Sequence, residues 1–167
     1  MPEEVAASAS YVHWIGPLLQ AGAILVSAGG VALMIQWNRA IARQRAILDL
    51  IVKEQTDSDM IAARKDFVNL KKDGNLLQWA DEASRSGEQA TTIRFILNMY
   101  EVVAIGIKKS AYDEAIYRDY CRTTVVLDWI AVKEFVSEYQ LRYGHKIFAE
   151  FELMAKRWAT DKERPNL

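Results

Sequence analysis

The chain has few of the residues on which covalent and metal chemistry depend. Its 167 residues include one cysteine, Cys121, and two histidines, His13 and His145. A single cysteine excludes an internal disulfide and a thiolate metal cluster, which fits a reducing compartment. Cys121 stands among apolar residues with no neighbouring His or Lys to activate its thiol, so we interpret it as a packing residue.

The signatures of common enzyme classes are also missing. The sequence has no glycine-rich phosphate or dinucleotide loop, no HExxH zinc motif and no GxSxG nucleophile elbow. It also lacks the Glu-x-x-His pairs that di-iron helical bundles use. We therefore expect no cofactor, no metal site and no catalytic residue, and a binding protein is favoured over an enzyme.

Positive charge is confined to one part of the chain. All 21 Lys and Arg residues lie at or after Arg39, whereas the segment before it carries only Glu3 and Glu4. The part that follows is nearly neutral, because the whole chain has a net charge of −1. A nearly neutral domain lacks the positive field that attracts a phosphate backbone, so we expect no nucleic acid among the partners.

One long uncharged run gives the strongest signal. From Ile15 to Gln36 the chain has 22 residues without a charge, flanked by Trp14 and Trp37. At about 1.5 Å per residue, such a helix crosses a hydrocarbon core of about 30 Å. A cleaved signal peptide and a buried core helix are less favoured alternatives, because no basic residue precedes the run and no polar stripe interrupts it. The pattern predicts a transmembrane helix over 14–37.

The flanking charges predict an orientation. Arginines follow the run and none precedes it, and cytoplasmic flanks are rich in Lys and Arg. We therefore expect residues 1–13 to be an extracytoplasmic tail, 38–160 a cytoplasmic helical domain at the inner membrane, and 161–167 a polar tail. The expected membrane-interface residues are Trp14, Trp37, Arg39, Arg43 and Arg45.

Small residues within the run indicate helix packing. Ala23 and Ser27 lie four residues apart, and Gly22 and Gly29 lie seven apart. Such spacing lets two helix backbones approach closely. These four residues are the expected packing positions of the transmembrane helix, with a homo-oligomer as one possible outcome.

Apolar spacing beyond the run predicts helices throughout. A 3–4 residue period accompanies this pattern, with capping residues at 56–59, at Ser110 or Asp113, and a stop signal at Gly144. The predicted helices cover 38–55, 60–72, 76–83, 88–108, 113–142 and 145–160. We predict an all-α fold, in which a single N-terminal transmembrane helix continues into a bundle of five or six helices.

Polar residues inside the apolar helices form the candidate site. Glu101 follows Tyr100 in the best core helix, and Arg122 and Asp128 flank the apolar centre of the next one, with Tyr120 nearby. A buried Glu101–Arg122 pair would fix the register of the two helices or line a small pocket. The structural interpretation is favoured, and a pocket around Glu101, Arg122 and Asp128 stays open.

Three segments carry a resemblance to a known family. IRFILNMYEVVAIGIKKSAYDEAIYRDY (93–120), RTTVVLDW (122–129) and FELMAKRW (151–158) resemble a family of uncharacterised bacterial and phage proteins, classified as a domain of unknown function. Its members typically join one N-terminal span to a short helical domain with a run like RAILDLIVKEQTDSDMIAAR (45–64). The resemblance implies a membrane-anchored helical module and transfers no activity, cofactor or catalytic residue.

Two functions follow as expectations. The first is a membrane-anchored, non-enzymatic interaction module that holds a protein complex at the inner face of the cytoplasmic membrane. Its partners would be the lipid bilayer and either another protein or a second copy of the chain. The alternative is a ligand-sensing or enzymatic bundle, which requires Glu101, Arg122, Asp128 and the tyrosines to converge on a cavity that solvent can reach.

Overall fold

The computed structural model describes residues 3–81, 86–144 and 146–167, and side chains from Gly16 onward. His145 and the side chains of His13 and Trp14 lie outside the described residues. The α-helices are α1 (Glu3–Thr56), α2 (Ser58–Lys72), α3 (Glu88–Lys108), α4 (Glu114–Tyr143) and α5 (Ala149–Trp158), with short 3₁₀ helices at Leu76–Ala80 and Arg164–Asn166. The described ranges contain no strand, so the all-α prediction is confirmed.

The chain divides into two compact units, Met1–Ala42 and Arg43–Leu167. In the first unit every described side chain from Gly16 to Arg39 is exposed. The part of α1 from Gly16 to Thr56 is long and apolar enough to cross a membrane. Residues 3–13, expected as a tail, already belong to α1, and the helix continues beyond the uncharged run as predicted.

Helix α3 is also long and apolar enough to cross a membrane, but its surroundings identify it as a core helix. Much of its most apolar stretch, 44%, is buried inside the second unit. One stripe at helical spacing is buried, and it includes Ile93, Ile96, Leu97, Val103 and Ile107. This stripe packs on α2 and α5, as the periodicity of the sequence predicts.

Helix α4 completes the core of the second unit. It packs on α5 and on the 3₁₀ helix Leu76–Ala80. The ring of Phe151 on α5 stacks on Tyr100 at 4.6 Å and meets Trp129 edge-on at 5.3 Å. These aromatic contacts join α3, α4 and α5 around one point, and the candidate site lies beside it.

Local signals set the helix boundaries. The Asp57 carboxylate accepts hydrogen bonds from the amides of Asp59 and Met60 at 3.0 and 3.1 Å and begins α2. Asp113 begins α4 in the same way, and Gly144 ends it with a left-handed φ of 67°. The predicted caps are confirmed. An interruption that the sequence did not predict occurs at Cys121, where a φ of −137° kinks α4.

Candidate functional site

The centre of the site is a carboxylate with no exposure to solvent. Asp128 on α4 is 0% exposed, and helices on two sides supply its partners. The Tyr100 hydroxyl of α3 donates to Oδ2 at 2.7 Å, and Arg64 Nη1 of α2 donates to the same oxygen at 2.7 Å. Lys71 Nζ, also on α2, donates to Oδ1. The network therefore connects three helices through one buried side chain.

The spacing on α2 explains how two cations reach one carboxylate. Arg64 and Lys71 are seven residues apart, which is close to two helical turns, so they lie on the same side of α2 as buried Phe67. Arg64 lies over the ring of Tyr100 at 5.1 Å, and Lys71 Nζ lies 5.2 Å from the ring centre of Phe67. The aromatic faces hold the cations in place while their charges meet Asp128.

The electrostatics of the network follow from this burial. Desolvation raises the pKa of the Tyr100 hydroxyl well above its usual value, and the charge of Asp128 raises it further. Burial would lower the pKa of Arg64, but the neighbouring Tyr100 and Asp128 outweigh that effect and raise it. Tyr100 therefore stays a neutral donor and Arg64 stays a cation, and both donate hydrogen bonds to Asp128.

A cavity of about 250 Å³ lies beside the network. Arg64 and Tyr100 form part of its wall, together with Glu54 of α1 and Cys121 of α4. Tyr120, which is exposed, also lines it and accepts a hydrogen bond from Gln55 Nε2 at 3.1 Å. The cavity belongs to the second unit and is shared by α1, α2, α3 and α4.

Burial also shifts the pKa values of Glu54 and Cys121 in the wall of this cavity. Desolvation raises the pKa of Glu54, and Arg64 and the Tyr117 hydroxyl, which is 3.5 Å from Glu54 Oε1, only partly oppose that rise. Desolvation also raises the pKa of the Cys121 thiol to about 12. Its Sγ donates to the Tyr117 carbonyl at 3.2 Å. A thiol with such a pKa is protonated at neutral pH and is a poor nucleophile.

Glu101 does not join the Asp128 network. Its carboxylate accepts hydrogen bonds from the backbone amides of Glu150 and Phe151 at 3.3 and 2.8 Å. These amides open α5, which follows a Phe148 in the left-handed region and has no capping side chain of its own. Glu101 therefore caps α5 from a different helix, where an anion also complements the helix dipole.

Arg122 of α4 contacts the C-terminal end of α5. Its Nε donates to the Trp158 carbonyl at 2.9 Å, where α5 ends. Its guanidinium also forms an ion pair with Glu163. Glu163 accepts from the Thr160 amide and hydroxyl at 2.7 and 2.8 Å, and these bonds, with Arg122, lower its pKa to about 2. The sequence-based Glu101–Arg122 pair is thus replaced by two contacts that hold opposite ends of α5.

The five candidate residues therefore separate into three groups. Asp128 and Tyr100 share the buried network, Glu101 and Arg122 hold α5, and Tyr120 lies at the cavity. Arg64 and Lys71 were missed, although their spacing of seven with Phe67 between them was a readable signal. In the sequence they resemble surface cations, since buried partners on α3 and α4 are needed to reveal their role.

The residues expected at the membrane differ in their exposure and in the face of α1 on which they lie. Trp37, Arg39 and Arg45 are exposed, and Arg43 is half-buried. Ala23 and Ser27 line a shallow groove along the first unit. Gly22 and Gly29 do not line it, because at about 100° per residue they lie on the opposite side of the helix. The four small residues therefore belong to two different faces.

The polar side chains of the site are already engaged by partners within the protein. Asp128 already accepts from two cations and a hydroxyl. Within residues 3–81, 86–144 and 146–167, no group of three or more His, Cys, Asp or Glu side chains is placed to hold a metal ion. The arrangement is suited to fixing the helices relative to one another.

Comparison with known proteins gives one match. The model of a family described as a domain of unknown function, DUF4760, matches residues 18–158. No curated protein and no solved structure matches the chain. The match covers residues 18–36 of the uncharged run, the Asp128 network, and the hydrogen bonds of Glu101 and Arg122 to the two ends of α5.

Proposed function

The chain belongs to the DUF4760 family, and we propose that it is a membrane-anchored, non-enzymatic interaction module. In this proposal α1 crosses the cytoplasmic membrane of a bacterial cell, or of a bacterial host in the case of a phage protein. Residues 43–167 then hold a protein complex at the inner face. The observation that carries the proposal is the uncharged run from Ile15 to Gln36, whose described side chains are all exposed.

The second unit supports the non-enzymatic part. The buried Asp128 is already occupied by contacts between α2, α3 and α4, and the half-buried Glu101 and Arg122 are occupied at the ends of α5. The Cys121 thiol has a raised pKa. These groups stabilise a rigid helical surface, which is what a protein-binding module requires.

Orientation is tested with thiol reagents that do not cross membranes. In a Cys121→Ser background, a cysteine at Ser8 should react in intact cells, and a cysteine at Lys162 should react only after permeabilisation. The two variants serve as controls for each other. The opposite labelling pattern would place residues 43–167 outside and contradict an inner-face role.

The complex is tested by purifying the tagged full chain from detergent-solubilised membranes. We expect the chain to migrate as an assembly larger than one copy, with a constant ratio of its components. The Asp128→Asn variant, which loosens the fold of the second unit, should recover less of any component bound there. Recovery of the chain alone and as a monomer would contradict the proposal.

A ligand-sensing function is a second candidate because of the cavity beside Asp128. Glu54 lines it, and among the described residues no Lys or Arg is within ion-pair distance of its carboxylate. A small organic amine is the class of ligand that such a carboxylate, surrounded by tyrosines, would bind. Methylammonium should then raise the Tm of the solubilised chain but not that of Glu54→Gln. Equal responses of the two proteins would remove this candidate.

A further inference from the structure

Two of the three polar side chains of the uncharged run, Gln20 and Ser27 but not Gln36, share one face with an apolar repeat. Between Ile15 and Ile35 the polar side chains are Gln20 and Ser27, seven residues apart. Both line the shallow groove of the first unit, together with Ile24 and Val31. Polar groups in hydrocarbon are stabilised by hydrogen bonds to a neighbouring helix, so their common face is the one that favours a partner.

The same face follows the spacing of a coiled coil. Steps of four and three residues lead from Gln20 through Ile24, Ser27, Val31, Met34 and Asn38 to Ile41. The apolar members are between 51% and 64% exposed. A straight helix drifts about 20° per heptad from such a repeat, and a left-handed winding of two helices removes the drift. We name these seven residues the α1 seam.

The a positions of the α1 seam resemble those of two-stranded coiled coils. Ile24 and Val31 occupy successive a positions of the heptad, as β-branched residues do in parallel dimers, whereas the d positions carry Gln20, Ser27, Met34 and Ile41 in place of Leu. The next a position is Asn38. A single Asn at an a position specifies the register and the number of strands, because its amide is satisfied by the same amide of the partner.

Exposed apolar residues continue the spacing of the α1 seam into the part of α1 that belongs to the second unit. Leu48 and Val52 of α1 are 49% and 57% exposed, whereas Ile47 and Ile51, on another side of the same helix, are buried. In the sequence Leu48 follows Ile41 by seven residues, and Val52 follows by four more. Arg45 occupies the a position between them, and two such charges repel each other, so the α1 seam ends at Ile41.

We propose that a second copy of this chain covers the α1 seam in a parallel, two-fold dimer. This inference rests on the proposed membrane anchor, which gives all copies the same orientation. A two-fold axis then places Gln20 against Gln20, Ser27 against Ser27 and Asn38 against Asn38. Each of these groups can both donate and accept a hydrogen bond, so the face is complementary to itself.

Disulfide scanning of the full chain in membranes tests this dimer. In a Cys121→Ser background, single cysteines replace Val31 and Ile41 on the seam. The controls, Leu25→Cys and Leu33→Cys, are exposed positions on the side of Gly22 and Gly29, and both are more exposed than the two seam positions. A disulfide requires two Cα atoms about 5 to 7 Å apart. Oxidation should therefore shift the seam variants to the mass of two chains and leave the controls at the mass of one.

Other outcomes overturn the dimer. Cross-linking at Leu25 and Leu33 in place of the seam assigns pairing to the glycine side, and an adduct of any other mass identifies a different occupant. No cross-link at any position in membrane-bound protein rules out close pairing of copies. Each membrane preparation is also assayed for the amount of chain it contains. Absence of the chain from the membranes would contradict the proposed function, whereas its presence without seam cross-links contradicts the dimer alone.

Discussion

Asp128 shows how one buried charge determines the arrangement of several helices. It is fully buried and meets Arg64 and Lys71, whose side chains are 30% and 23% exposed. The two cations can turn toward water if the carboxylate is lost, but the carboxylate cannot reach water if the cations are lost. Loss of the two cations should therefore destabilise the fold more than loss of the carboxylate charge.

This inequality predicts the order of two variants. The double variant Arg64→Met, Lys71→Met leaves an unpaired buried carboxylate and should lower the free energy of unfolding by about 3–5 kcal/mol. Asp128→Asn keeps an acceptor for Tyr100 and should cost about 1–3 kcal/mol. Urea unfolding of the solubilised full chain, followed by near-ultraviolet circular dichroism, measures both. A larger loss for Asp128→Asn would contradict the account.

Glu54 gives a pH dependence with a defined sign. Burial raises its pKa in the folded chain, so the folded state retains a proton that the unfolded state has released. Stability from this group is therefore complete below the unfolded pKa and falls as the pH rises through the folded pKa. Glu54→Gln should have a higher Tm than the parent at pH 7, and the two should converge near a pH of about 4.

Glu163 supplies a control of opposite sign. Its pKa is lowered to about 2 in the folded chain, so its contribution is present above the unfolded pKa and is lost as the pH falls toward the folded value. Glu163→Gln should therefore have a lower Tm than the parent at neutral pH, with the difference shrinking in acid. If the two variants change Tm in the same direction at pH 7, the assigned shifts are incorrect.

At the scale of the elements, α5 depends on contacts from outside itself. It has ten residues and no capping side chain of its own, and isolated helices of this length are marginal. Glu101 of α3 holds its first amides, and Arg122 of α4 holds its last carbonyl. Helix α5 is therefore a dependent element of the second unit.

The cap predicts a local effect of substitution. Glu101→Ala leaves the amides of Glu150 and Phe151 without their acceptor and should cost about 1 kcal/mol. Hydrogen exchange should accelerate in residues 149–158 and stay unchanged in α2. Glu101→Gln keeps an acceptor and should show a smaller change. Uniform acceleration across the second unit would show that Glu101 acts elsewhere.

Sequence patterns predict the helices and their order, but they do not predict which polar side chains contact one another. The stripe of α3 and the caps Asp57, Asp113 and Gly144 depend on residues a few positions apart, so the helix order was predictable. Glu101 and Arg122 were paired incorrectly because their true partners lie 50 and 41 residues away along the chain. The sequence identifies 161–167 only as a polar tail, whereas Glu163 within it forms an ion pair with the distant Arg122.

At the scale of the whole molecule, the two units have different surfaces. The first unit exposes apolar side chains throughout its described residues, and the second buries a hydrophobic core around the ion-paired Asp128. A soluble protein rarely exposes so large an apolar surface. The proposed membrane around the first unit and the proposed second copy along the α1 seam would together cover this surface.

The most direct test of the account is whether the full chain is an integral membrane protein. Membranes from cells expressing it are washed at alkaline pH, which removes peripheral proteins, and are then extracted with detergent. Val26→Arg with Gly29→Arg places two charges in the span, each costing about 3 kcal/mol at the centre of a bilayer. Gln44→Arg, which adds a charge beyond the span, is the matched control.

We predict that the parent and Gln44→Arg remain in the washed membranes and leave them only in detergent, whereas the double arginine variant is lost from the membranes. Release of the parent chain by the alkaline wash would contradict the membrane anchor on which the account depends.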